Sequence, residues 1–253
     1  MSQSTYFSAW RVVLTVAAFG SFASTAYAQT PRRGEIEFRA IASGEERTAQ
    51  SNLYVMDVLY KPMRMIAVDV TDPQTGQKRK EYVWYIVYRA FNRKLELPPD
   101  SESAPVNELD QEIFNPPLFV PEFTLVTTDT KEPKYYRDEV IPEALAAINK
   151  REQGRYRSSI DIVGPIPPAG ELGDPKREGL VGIAMWRGID PDADRYTVYL
   201  SGFSNAIRVS DGPDGKPMVQ MKTIMQQYWR PGDRFDQSEP EIRQEGPSQW
   251  MYR

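Results

Sequence analysis

The chain has 253 residues, with 35 acidic and 31 basic side chains and neither histidine nor cysteine. Those two absences exclude imidazole-dependent hydrolytic dyads, disulfides and ordinary zinc, copper or haem sites. A 40% hydrophobic and 26% charged composition is that of a folded domain, and 21 prolines argue against a helical bundle, since each costs about 3 kcal/mol inside a helix.

Residues 1–28 have the layout of a secretory signal peptide: one charge at Arg11, an apolar run over 12–22, and Ala26-Tyr27-Ala28 as an A-x-A cleavage site. Cleavage near Ala28 would deliver an exported protein, periplasmic or extracellular. An uncleaved anchor is the competing reading, and the Thr, Ser and Gly content of the segment weighs against it. No later stretch reaches about 18 consecutive apolar residues, so no membrane span is expected in the mature chain. Every acid and every base except Arg11 lies beyond residue 28. That acidic balance argues against a nucleic-acid partner. Without cysteine there is no lipidated N-terminus and no covalent staple, so the domain depends on its apolar core.

Residues 29–52 are charged and poor in large apolar side chains, and read as a mobile leader with at most a short strand. From 53 to 229 the pattern turns to period two, rich in β-branched and aromatic residues, which is the strand signature. Residues 63–92 form the clearest hairpin, two β-rich runs around Thr71-Asp72-Pro73-Gln74-Thr75-Gly76-Gln77. In its second run Tyr82, Trp84, Ile86 and Tyr88 share one face while Val83, Tyr85, Val87 and Phe91 share the other. Both faces being apolar, this strand should lie centrally with something packed on each side. Residues 97–111 read as an acidic loop rich in Pro and Ser. The one expected helix spans 141–153, with Pro142 in its first turn, Glu143 at its positive end, Leu145 and Ile148 on one face, and Gly154 as terminator. So short a helix must lie against the sheet.

Further strands are expected at 119–127, 158–163, 180–189, 196–200, 205–209 and 217–229, the last two joined by Asp211-Gly212-Pro213-Asp214-Gly215-Lys216 as a second hairpin. In the final strand Val219, Met221, Met225 and Trp229 alternate with Gln220, Lys222 and Gln226, which reads as an apolar inner face and a wet outer one. Short strands with no repeating βα alternation predict a mainly β fold, an immunoglobulin/fibronectin-III-like β-sandwich with one short α-helix. Residues 230–253 read as an irregular tail, docked on the domain by Trp250, Met251 and Tyr252.

Candidate sites are sparse. Asp190, Asp192 and Asp194 have the alternate spacing that opens a calcium-binding loop, but Arg195 stands where an EF-hand needs Gly. Asp and Pro shaping a bend before the next strand explain the same residues and are the favoured reading. Calcium is the one cofactor considered. Gly202-Phe203-Ser204-Asn205-Ala206 resembles a nucleophile elbow without its final glycine, and the chain holds no histidine to act as base. Glycoside hydrolysis needs only two carboxylates, and Asp138, Glu139 or Glu122 would qualify by type. With 35 acids, however, spacing carries almost no specificity. Trp186, Trp229 and Trp250 lie near strand ends or in the tail and are the candidates for an aromatic binding surface, with core or tail docking as the competing role.

The stretches YRDEVIPEALAAINKRE (136–152), DPDADRYTVYLSGFSN (190–205) and YWRPGDRFD (228–236), with the terminal WMYR, resemble a family of uncharacterised exported bacterial proteins, planctomycete-like in character. The resemblance covers roughly the mature domain. It implies an envelope or extracellular location and transfers no site residue. The expected function is therefore a non-enzymatic exported β-sandwich with a binding or structural role in the cell envelope, its partner an envelope protein or polysaccharide. The alternative is a carbohydrate-binding or carboxylate-dependent glycan-active protein, which needs a groove gathering Asp or Glu with Trp or Tyr.

Overall fold

A computed structural model describes residues 31–50, 52–72, 74–95, 117–171, 174, 177–212, 214–231 and 241–253. Residues 1–28, read from sequence as a signal peptide, and 97–111, read as a loop, lie outside the described residues. In chain order the elements are β1 (Ile36–Phe38), α1 (Gly44–Ala49), β2 (Met56–Tyr60), β3 (Arg64–Thr71), β4 (Lys78–Asn92), β5 (Leu118–Phe119), β6 (Glu122–Thr127) and β7 (Tyr135–Arg137). There follow α2 (Pro142–Glu152), β8 (Gly164–Pro165), β9 (Leu180–Arg187), β10 (Arg195–Ser201), β11 (Ile207–Asp211), β12 (Pro217–Trp229), β13 (Arg243–Gln244) and β14 (Gln249–Tyr252). The fold is mainly β, built from antiparallel sheets with two short helices and no closed barrel.

The first sheet is organised around β4. Strands β2 and β3 follow one another along the same edge, pairing Tyr60 with Tyr88 and Arg64 with Tyr85. Between them Lys61-Pro62-Met63 bulges out, where the proline has no N–H to give to a ladder. Strand β9 occupies the other edge of β4 from Val83 to Ala90, and β1 extends the sheet beyond β2. The β3–β4 turn is closed by the Asp72 carboxylate, which accepts from the Gln74 and Thr75 amides, and by Gly76 at φ 68°.

The second sheet runs β11-β12-β10-β6-β7, with β13 and β14 on the far edge of β12. One face of each sheet meets the other in a single core: Val58, Ile86, Tyr88 and Trp186 from the first sheet, and Phe123, Leu125, Val198, Ile224 and Tyr228 from the second. On its other face β4 buries Val83, Tyr85 and Val87 against Ile141, Ala144 and Ile148 at helix α2. The first sheet is thus covered on both sides, as its doubly apolar central strand requires.

Besides residues 158–163, expected as a strand and found as a turn, three local expectations change. First, a second helix, α1, stands in the leader, opened by a capping box in which the Glu46 amide donates to Ser43 Oγ and the Ser43 amide donates to the Glu46 carboxylate. Second, the left-handed residue ending α2 is Gln153 at φ 51°, not Gly154. Gly154 is needed for a different reason, because a Cβ there would overlap the Tyr156 ring. Third, the faces of β12 are reversed. Lys222 and Gln226 are buried on the core side with Ile224 and Tyr228, while Val219 and Met221 are exposed. The inward polar groups are satisfied by distant parts of the chain: Lys222 Nζ by Glu46, and Gln226 Nε2 by Ser248 Oγ. Burial with complete hydrogen bonding outweighs the bare alternation of side-chain type. Strand β12 is also interior to its sheet, so it offers no edge over most of its length; the outer strand is β11.

Candidate functional site

Strand β9 ends before β4 does. Its last paired residue is Arg187, opposite Val83, and Gly188 then turns the chain away at φ 67°. Left-handed backbone of this kind suits glycine, which has no Cβ to clash with the following carbonyl. Residues 78–82 of β4 therefore have β3 on one side and, among the described residues, no strand on the other.

That unpaired stretch is the floor of a cleft of about 550 Å³, whose walls include Arg79, Glu81, Tyr82, Trp84, Glu139 and Arg187. Of these, Glu139 is brought in by the loop ahead of α2, where its amide donates to the Met185 carbonyl on the outer edge of β9. Arg187 lies between the two carboxylates: its Nε donates to Glu139 at 2.9 Å, and its Nη1 is 3.5 Å from Glu81. Arg79 makes a further ion pair with Glu81. At the cleft wall Trp84 is 7% exposed, and its Nε1–H has no hydrogen-bond partner among the described residues. Its cross-strand neighbour Trp186 is in the same condition. An unmade buried donor carries a desolvation cost of about 1–3 kcal/mol that an acceptor brought by a ligand would relieve.

The groups gathered here suit recognition. Aromatic surface, guanidinium donors and carboxylate acceptors are present, and each carboxylate is ion-paired with an arginine. Asp138 is the carboxyl that burial pushes upward, against the opposing hydrogen bond from Ser159. It sits one residue before Glu139, with an oxygen accepting from the Phe123 amide, and is not among the residues lining the cleft.

The residues singled out by sequence are dispersed. Trp186 is fully buried between the sheets and is no part of a surface. It lies mid-core because its place in β9 is opposite Trp84, within the interior of β4, so a position near one strand's end is still interior to the sheet. Trp229 is half-buried under the Arg243 guanidinium, 5.3 Å from its ring centroid. Trp250 packs on Phe38 and donates Nε1–H to the Arg39 carbonyl, which fastens β14 to the leader. The three aspartates do not converge either. Asp190 pairs with Lys134 at 2.7 Å, Asp194 pairs with Arg230 at 3.1 Å, and the Asp192 amide donates to Asp190. Among the described residues no group of three Asp or Glu could hold a metal ion. Their contacts are those of a turn ahead of β10.

Sequence reasoning considered Glu139 but missed Glu81, Tyr82 and Arg187 as its companions. The one available signal was Gly188, a glycine directly after an apolar strand run. No protein-family model, curated protein or solved structure matches the chain.

A second cleft of about 620 Å³, lined by Asn92, Arg93, Pro165 and Pro167, reaches Leu95 and Pro117, where the described chain stops on either side.

Proposed function

We propose that this is an exported, non-enzymatic binding protein of the cell envelope, whose partner occupies the cleft at the open edge of β4. We read the two antiparallel sheets, facing across one apolar core, as an immunoglobulin- or fibronectin-III-like sandwich carrying α2 on its outer face. The carrying observation is the cleft itself: Tyr82 and Trp84 beside Glu81 and Glu139, with both carboxylates neutralised by arginine. Ion-paired carboxylates serve as oriented hydrogen-bond acceptors, a role in binding and not in proton transfer. The test is enrichment of a specific protein or polymer from envelope extracts by the intact chain, lost in Arg187→Ala with its circular dichroism unchanged. Equal enrichment by the variant would overturn the assignment of this cleft.

The aromatic pair also favours a saccharide as a second reading, since sugar rings stack on Trp and Tyr while hydroxyls bond carboxylate and guanidinium groups. Binding of oligosaccharides with quenching of Trp fluorescence would support it.

A further inference from the structure

Successive side chains of a strand point to opposite faces, so the even positions of β4 form one row, Lys78, Lys80, Tyr82 and Trp84, each about 7 Å from the next. The odd positions Arg79 and Glu81 belong to the other face, where Arg187 and Glu139 complete a chain of ion pairs. That chain is balanced, two arginines against two carboxylates. The even row is not. Lys78 and Lys80 are exposed and make no ion pair among the described residues, although Asp69 stands opposite Lys80 on β3. In a chain with more acids than bases, the mouth of the cleft is therefore a local excess of positive charge, continuous with the aromatic wall.

We propose that the ligand of this cleft is an acidic saccharide, a chain of hexuronate units whose carboxylates meet Lys80 and Lys78 while a ring lies on Tyr82. The inference rests on the reading that the cleft is the binding site, and it names the chemistry of the partner. Three kinds of group in the cleft have three different complements: an aromatic face takes a sugar ring, a carboxylate takes hydroxyl donors, and an unpaired ammonium takes an anion. A hexuronate carries all three on one ring. The Glu139 side chain, 46% exposed, is the open acceptor, and its pairing with Arg187 offsets its repulsion of the ligand's carboxylate. A sulfated sugar matches less well, because each sulfate takes up a hydroxyl that this acceptor would use. An acidic peptide supplies the anion without the cluster of hydroxyl donors, and a neutral saccharide leaves both ammoniums unmet. Since the two lysines are successive members of the row, a single uronate is held by Lys80 and a longer chain by both.

The probes are the galacturonic acid trimer, its fully methyl-esterified form, which keeps rings and hydroxyls but loses the charge, and hexaglutamate, which has charge without rings. Each is titrated against the full chain and followed by amide and indole NMR signals. The acid trimer should give saturable shifts at Lys80, Tyr82 and the Trp84 indole, with an affinity about tenfold above that of the ester and above that of hexaglutamate. An exposed ion pair contributes modestly, so Lys80→Gln should weaken the trimer about threefold and the double variant Lys78→Gln, Lys80→Gln about tenfold. Binding of the ester should be unchanged in both, and Lys80→Arg should stay near the parent. Added salt should weaken the acid and spare the ester. Equal affinity for acid and ester, hexaglutamate binding as tightly as the trimer, or no saturation by the trimer up to millimolar concentration each overturns the acidic-saccharide assignment. The cleft itself is judged separately, by enrichment from envelope extracts: enrichment that Arg187→Ala loses, in a chain that ignores all three probes, would leave the cleft as the binding site with a different ligand.

Discussion

Glu152, the last residue of α2, accepts a 2.7 Å hydrogen bond from the Tyr85 hydroxyl in the middle of β4. An acid at the negative end of a helix is electrostatically misplaced. Here Lys61 at 2.8 Å and Arg64 at 2.9 Å reverse the local sign, and the Glu152 side chain is 1% exposed. Through this one carboxylate the helix is tied to β3, to β4 and to the bulge between β2 and β3.

Removing Glu152 leaves Lys61 and the Tyr85 hydroxyl in a dry site without their acceptor. Glu152→Ala should destabilise the fold by about 3 kcal/mol, and Tyr85→Phe by about 1 kcal/mol, read from urea midpoints with an unchanged m-value. Equal midpoints for Glu152→Ala and the parent chain would contradict this account.

Acid should weaken the same contact. Burial opposes ionisation of Glu152, yet the hydrogen bonds from Lys61 and Tyr85 and the charge of Arg64 outweigh it and hold the carboxyl below its ordinary value of 4.5. Glu46 is lowered in the same way, against burial, by Lys222 and Tyr252. A carboxyl depressed in the folded state contributes stability above its unfolded pKa and loses it as pH falls through the folded one. Melting temperature should therefore fall below about pH 4.5, and the fall should be shallower in Glu152→Gln. Asp138 has the opposite sign, because burial raises its folded pKa. Asp138→Asn keeps an acceptor for the Phe123 amide and should be more stable than the parent at pH 7, with the difference shrinking in acid.

Gly182 lies under the Tyr88 hydroxyl, where an added Cβ would overlap that oxygen and sit 2.7 Å from Ile162 Cδ1. Gly182→Ala should cost about 1–3 kcal/mol by overpacking. Tyr88→Phe should relieve part of that cost in the double variant. Alone it should be neutral or stabilising, since the buried hydroxyl has no partner among the described residues. A thermal melt of the four-member cycle checks both statements.

Lys222 reaches from β12 to Glu46 and to the Ile41 carbonyl, and Tyr252 also donates to Glu46. Strand β14 and the leader are thus held to the second sheet at one point, where Trp250 packs on Phe38. Lys222→Ala should raise amide hydrogen exchange in α1, β1 and β14 while leaving β4 and β9 protected. Uniform deprotection of all strands would instead indicate that the clamp is part of the global fold.

Most of the strand segments, the two hairpin turns, the doubly covered β4 and the helix lying on it were legible from periodicity and turn chemistry, because these depend on near neighbours in sequence. Alternation alone could not orient β12. It fixes two faces but not which is inward, and Lys222 and Gln226 became core residues only because Glu46 and Ser248 arrive from elsewhere in the chain to complete their hydrogen bonds. The burial of Trp186 likewise follows from what β4 and the second sheet place over it. The cleft is the plainest tertiary product: Glu81 and Arg187 are far apart in sequence and meet because β9 stops opposite Val83, five residues short of the β4 end at Lys78. Local sequence determined which segments are strands. Only their unequal lengths, set against each other in the sheet, decided where an edge was left open.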